Sequence, residues 1–152
     1  MKDKLPPLAT LKRKCDTIWS LLVRGKYTHC ALCGRPDGLS AHHWVVSKHC
    51  SNRTRWLVDN GISLCYGCHI HQTHRNADYR TISRIDAASG LTAIARDVVV
   101  DISNHPPRSD KDLRIWLNTM YTANIHLLKK AKKVQDEKRR ALPVVEDSSE
   151  DD

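Results

Sequence analysis

Phenylalanine is absent from the 152-residue sequence, and tryptophan and tyrosine contribute only four residues each. Leu, Ile, Val and these few aromatics must therefore supply the buried surface. A chain of this length builds one domain with tails and a modest core, and a core so thin is commonly reinforced by a staple such as a metal ion. Long apolar runs are missing as well. The only early apolar stretch, Ile18 to Val23, is too short for a secretory signal and lacks a cleavage pattern. Nothing approaches the ~20 apolar residues of a membrane span, so a membrane protein is excluded and the cytoplasm is the expected compartment. Acid is scarce except at the end. The formal net charge is +8, and five acids fall in the last seven residues, Glu146 to Asp152. Without those five acids, residues 1–145 carry +13. A body this basic points to a polyanionic partner, nucleic acid above all.

What the chain has instead is cysteine and histidine: six of the first and nine of the second. Cys30-Ala-Leu-Cys33 and Cys65-Tyr-Gly-Cys68 are C-x-x-C pairs, with 31 residues between them. Two such pairs read as a metal site in a reducing compartment rather than as disulfides. Zinc takes four tetrahedral ligands in a structural site, and thiolates suit it. Gly34 follows the first pair, where the turn must tighten. An iron centre of the rubredoxin kind is the alternative, but nothing else in the chain suggests electron transfer. Cys15 and Cys50 are left over and carry no expected chemistry.

Helical spacing frames this metal-bearing segment. Leu8, Leu11, Cys15, Ile18, Trp19 and Leu22 predict an N-terminal helix that stops near Gly25. Residues 28–78 have weak periodicity and suit a segment organised by metal. Tyr79, Ile82 and Ile85 predict a short helix ending near Gly90; Leu91, Ile94, Ala95, Val98 and Ile102 predict another, broken at His105-Pro106-Pro107. Ser109 with Asp112 resembles a capping box, opening a helix that runs to about Arg140. Its seam is Leu113, Leu117, Met120, Leu127, Ala131 and Val134, with Asn124 in register. Such an Asn can fix a dimeric coiled coil. The seam is short of clean heptads, so packing on the chain's own core is favoured over a homodimer through this helix. Lys129, Lys130, Lys132, Lys133, Lys138, Arg139 and Arg140 follow, either as a solvated face or as a stripe tracking phosphates.

Between and beside the cysteine pairs stand His42-His43, Asn60 and His69. A phosphodiester hydrolase needs a general base, and an imidazole suits that role. It also needs a divalent ion against the phosphate, held by at least two ligands, and a ligated imidazole cannot act as the base. His42, His43 and His69 are the minimum inventory. Neighbours on a strand point to opposite faces, so His42 and His43 serve one phosphate only where the strand twists or ends. On a helix, neighbours diverge by about 100°; Cys68 can face zinc while His69 faces a cleft.

The segment HCALCGRPDGLSAHHWVVSK, followed by RTRWLVDNGISLCYGCHIHQTH, resembles an HNH (ββα-metal) endonuclease with an accessory four-cysteine zinc. The R-W-x-x-D-N-G-I-x-L-C-x-x-C-H run is similar to phage recombination nucleases of the NinG (Rap) type and related phage HNH proteins. The resemblance covers about residues 15–80. It implies a small α+β fold in which a β-hairpin and a helix pinch one catalytic ion. It further implies His42 and His69 as ligands of that ion, His43 as general base, and Asn60 holding the loop that bears His43. Mg²⁺ or Mn²⁺ is implied, with Ni²⁺ or Co²⁺ also accepted by imidazoles, and products with 5′-phosphate and 3′-hydroxyl ends. The expected organisation is a lead (1–7), a nuclease core with its N-terminal helix (8–80), a helical region (81–141) and a disordered acidic tail (142–152). The polar stretch from His43 to Asn60 departs from the compact pattern and reads as a DNA-contacting loop. Arg55 is its leading phosphate contact, with Lys48, Arg53 and His74 as further candidates. Trp56 reads as a core anchor. His29 reads as a polar neighbour of the knuckle, and His105 and His126 as surface positions. A zinc-stabilised module that binds nucleic acid without cutting it, and an interaction protein built on the last helix, are the competing readings.

Overall fold

The computed structural model describes residues 5–47, 49, 51–75, 79–90 and 93–141. The expectations placed on residues 1–4, Lys48 and the tail 142–152 lie outside these, as does the side chain of His74.

Helix α1 (Leu8–Lys26) begins directly after Pro7, whose missing N–H costs nothing at a helix start. Its buried residues are Leu11, Cys15, Ile18, Trp19 and Val23, the steps of one helical face. Arg24 and Lys26 occupy the last turn, where cations complement the helix dipole. The sheet is a two-stranded hairpin, β1 (Leu39–His43) against β2 (Gly61–Cys65). The strands are antiparallel, with His42 opposite Ile62 and His43 opposite Gly61. A 3₁₀ turn (Val58–Asn60) leads into β2, and a π-helical segment (Cys68–Arg75) follows it closely. Helix α2 (Tyr79–Ser89) ends at Gly90, whose φ of 61° is the left-handed C-terminal conformation glycine adopts readily. Helix α3 (Ala93–Asn104) stops before the Pro106-Pro107 pair, and α4 (Asp110–Ala141) follows. Ser109 caps α4: its Oγ accepts from Asp112 N at 3.1 Å and donates to Asp112 Oδ2 at 2.6 Å.

The fold is therefore a small α+β arrangement with two buried clusters. One joins Leu11, Cys15, Trp19 and Val23 of α1 to Leu113 and Leu117 of α4, with Trp56 beside them. The other joins Cys30, Leu32, Ile62, Leu64, Cys65, Cys68 and Ile85, tying the hairpin and both cysteine pairs to α2. The start of the α4 seam thus packs inside the chain, as Cys15 Sγ donating to Leu117 O at 3.3 Å also shows. Among the described residues, no helix is long and apolar enough to cross a membrane.

Candidate metal centre and histidine site

The first cysteine pair sits on a tight knuckle. Gly34 N donates to Cys30 O and Cys30 N to Arg35 O, both at 2.8 Å. Gly34 takes a φ of 72°, a conformation that strains any residue with a Cβ. Ala31 N donates to Ser63 O at 3.0 Å, which docks the knuckle on β2. The second pair closes β2 and opens the π-helical segment. All four sulfurs of Cys30, Cys33, Cys65 and Cys68 lie within 4.8 Å of one another, and Cys33 and Cys65 are 3.6 Å apart. Sulfurs at ~2.3 Å from a tetrahedral zinc are about 3.8 Å from each other. The cluster therefore has the size and donor set to hold a metal ion such as zinc. Burial raises the Cys30 thiol, yet hydrogen bonds from the backbones of Cys65, Cys33 and Leu32 together outweigh it and leave it at about 7. Burial and the neighbouring sulfurs push the Cys68 thiol up.

His42 and His43 are the last residues of β1, and they leave it on opposite faces. His42 meets His69 edge-on, ring centroids 4.9 Å apart at 72°, with the Trp44 ring at 6.4 Å. His69 is half-buried and immediately follows Cys68, which is buried in the second cluster. The metal cluster and His69 thus share one segment, and its π-helical winding is of a kind that recurs at functional sites. His43 turns toward α1 and stacks on Trp19, centroids 3.8 Å apart and planes within 14°. His43 Nε2 donates to Arg55 O at 2.8 Å; a carbonyl only accepts, so Nδ1 is the basic nitrogen of the neutral ring.

Three neighbours fix these rings. Asn60 is fully buried. Its Oδ1 accepts from Val45 N at 3.1 Å and Val46 N at 2.7 Å; its Nδ2 donates to Val46 O at 2.8 Å and Thr54 O at 3.2 Å. One side chain thereby stitches the loop after His43 to the turn before β2. Trp19 is held by its indole N–H on Leu57 O at 2.8 Å. Trp44 donates to Asp86 Oδ1 at 2.7 Å, and Arg96 closes on Asp86 Oδ2 at 2.6 Å. Helices α2 and α3 are thereby tied to the residue beside His42.

Arg55, expected to face phosphate, does not present its guanidinium to solvent for that purpose. Its Nε and Nη2 fork onto Asp16 at 3.0 and 2.7 Å; the nearer acid on α1 neutralises it. Its contribution to the site is its carbonyl. Trp56 is a core anchor, 3% exposed, and its Nε1 donates to the same Asp16 at 2.8 Å. Arg53 donates to Pro106 O and is half-buried. His29, His105 and His126 are exposed. Among the described residues, no other group of three or more Cys, His, Asp and Glu side chains closes as the four cysteines do. Sequence reasoning missed Trp19 as the platform of His43, and missed Asp16, Asp86 and Arg96 altogether. The spacing marked Trp19 as a core residue, but which ring would meet it is a tertiary fact. No family model, curated protein or solved structure matches this chain.

Proposed function

We propose that this chain is a metal-dependent DNA endonuclease of the HNH (ββα-metal) kind. The observation that carries the reading is the meeting of His42 and His69 at 4.9 Å, one from the hairpin and one from the segment rooted in the four-cysteine cluster. Two neutral imidazoles form a donor set that accepts Ni²⁺ or Co²⁺, and the resemblance to HNH nucleases implies Mg²⁺ or Mn²⁺ there, with solvent or phosphate oxygens completing the shell. When bound, such an ion offsets charge developing on the phosphate and assists the leaving oxygen. His43 takes the proton of the attacking water at Nδ1, since Nε2 is committed to Arg55 O. Because β1 ends at His43, a phosphate lying across the strand end reaches both neighbouring imidazoles. Asn60 and Trp19 hold His43 rather than react. The four thiolates hold zinc and cut nothing. The products carry 5′-phosphate and 3′-hydroxyl ends, and the setting that fits is DNA recombination or processing by a phage or mobile element in a cell's cytoplasm.

A zinc-stabilised nucleic-acid-binding module is the second reading. It is favoured by the lack, among the described residues, of a third donor grouped with His42 and His69. Plasmid nicking with Mg²⁺ or Mn²⁺ separates the two. The wild type nicks supercoiled plasmid, and His43→Ala loses about 10²- to 10⁴-fold in rate, the usual contribution of a general base, while still binding DNA. Equal activity in both proteins removes the catalytic assignment. Cutting by neither protein leaves the binding module.

A further inference from the structure

Arg53 and Arg108 meet the same junction, where the loop before β2 joins the segment leading into α4, and among the described residues neither pairs with a carboxylate. Arg53 Nε donates to Pro106 O at 2.5 Å. Arg108 lies over the Trp116 ring, its Cζ 4.5 Å from the centroid. The Asn52 amide grips the backbone of Arg108 at both ends: Arg108 N donates to Asn52 Oδ1 and Asn52 Nδ2 donates to Arg108 O, each at 2.9 Å. Burial, and then the charge of Arg53, lowers the Arg108 guanidinium below its ordinary value. Arg108 Nη1 also donates to Asn52 O at 3.4 Å, next in sequence to Arg53, so both cations are held at one junction. Four other basic side chains do pair with a carboxylate: Lys26 with Asp59, Arg55 with Asp16, Arg96 with Asp86, and Lys133 with Glu137. Among the described residues, no carboxylate lies within 4.0 Å of either Arg53 or Arg108. The acids of the first turn of α4, Asp110 and Asp112, are exposed, and Asp112 is engaged by Ser109.

Holding two like charges together costs free energy, and the Asn52 clamp and the Trp116 face keep them there. An external anion is what offsets that cost, and guanidinium forks match phosphate oxygens bidentately. The location selects which phosphate. Arg53 lies two residues before Arg55, whose carbonyl holds His43. We propose that Arg53 and Arg108 form a clamp for a backbone phosphate of a DNA strand, seated beside the His42–His43–His69 site on the His43 side. Arg108 thus takes the phosphate role first expected of Arg55, whose Nε and Nη2 are engaged by Asp16. The proposal rests on the nucleic-acid part of the reading above and is independent of cutting.

The test is fluorescence anisotropy of the full-length, metal-loaded protein with two labelled DNA duplexes of unrelated sequence. It is run over a salt series with neither added divalent cation nor chelator. Arg53→Ala and Arg108→Ala are each expected to weaken binding about five- to tenfold near 0.1 M salt, equally on both duplexes. Each is also expected to reduce the slope of log K against log salt by about 1, as loss of one phosphate contact does. Lys133→Ala, at the far end of α4, stays within about twofold of wild type. Arg108→Ala can loosen Trp116, so thermal unfolding is followed for every variant. Arg53→Ala, whose side chain lies outside both buried clusters, keeps the test decisive. Wild-type affinity in both arginine variants overturns the clamp. So does a larger loss in Lys133→Ala, or a wild type that binds neither duplex. Displacement of DNA by inorganic phosphate at constant ionic strength identifies a free-phosphate site and overturns the strand assignment. A protein that binds through both arginines yet never nicks sinks the nuclease reading alone; one that nicks with arginine-independent binding sinks only the clamp.

Discussion

A methyl group at position 61 would lie 2.5 Å from Val23 Cγ2 and 2.7 Å from Trp19 Cζ2. Gly61 is what lets α1 come close enough for Trp19 to lie flat on His43. Gly61→Ala is expected to cost about 1–3 kcal/mol, the range for overpacking a filled core. It should also lower nicking by tilting the imidazole; chemical denaturation and a plasmid assay measure the two effects. Unchanged stability would mean that α1 yields where the packing says it cannot. Asn60 is the second test at this scale. Asn60→Ala removes the acceptor of two half-buried backbone N–H groups, Val45 and Val46, and should cost up to about 1–3 kcal/mol, the penalty of a buried polar group left without its partner. Asn60→Asp keeps the acceptors but removes the donors to Val46 O and Thr54 O, and buries a charge, so it should be the worse of the pair in urea. Cys15 offers a pH test. Burial first, and then Asp16, push its thiol from 9.0 up to about 11. A raised folded value favours the protonated form. The contribution of Cys15 to stability is therefore complete below pH 9.0 and is lost as pH rises toward about 11. Replacing it by Ala should flatten that part of the stability–pH curve, and an identical decline in the variant would exclude Cys15 as its source.

Helices α1 and α4 were legible because each carries its own periodic signal, whereas in α3 the expected seam residues Ile94 and Val98 are exposed and Val99 is the buried one. The spacing from Leu8 to Leu22 became α1, and Ser109 with Asp112 became the cap of α4. The hairpin was not legible from periodicity. β2 is buried at every position, so it shows no alternation, and β1 is half-buried throughout. Metal-ligand spacing located the cysteine cluster, since C-x-x-C is a local rule, whereas the fork of Arg55 on Asp16 spans 39 residues and leaves no local trace. This difference predicts how the elements respond to loss of metal. Cys30 and Cys33 lie on a knuckle without regular structure, whereas Cys65 ends the buried strand and Cys68 opens the π-helical segment. Cys33→Ser should therefore lower the melting temperature and abolish stoichiometric zinc, read by elemental analysis of the purified chain. Because the ligands bind as thiolates, zinc retention should fall as pH falls; retention indifferent to acid would argue against thiolate ligation. Truncation before α4 separates the roles of that helix. Leu113 and Leu117 are 1% and 0% exposed, and their burial is worth about 1.5–3 kcal/mol each, a large part of a domain's stability. A chain ending at Asp112 should not fold, and a folded, active fragment would make α4 an assembly element instead.

At the scale of the whole molecule, two modest clusters, a four-cysteine cluster and a net charge of +8 stand side by side. The clusters set the hairpin against α1 and α2; on the proposed reading, a metal held by the cysteines fixes the segment that carries His69, and the charge draws in a polyanion. That last part can be tested without any assumption about cutting. Residues 146–152 hold five acids and no base, so removing them raises the net charge from +8 to +13. Long-range attraction to a polyanion depends on net charge, and salt screens it over about 10 Å at 0.1 M and about 30 Å at 0.01 M. A chain ending at Val145 should therefore bind unspecific duplex DNA several-fold more tightly than the full chain near 0.02 M salt. The two should converge by about 0.3 M, where only close phosphate contacts survive. Association rates should diverge in the same direction and more strongly than dissociation rates, because steering acts before contact. Stopped-flow anisotropy across a salt series reads all three quantities. Equal rates at the lowest salt would show that the acidic residues do not oppose the basic body. A gap that persists unchanged at 0.3 M would instead mean that the tail competes for the contact surface itself.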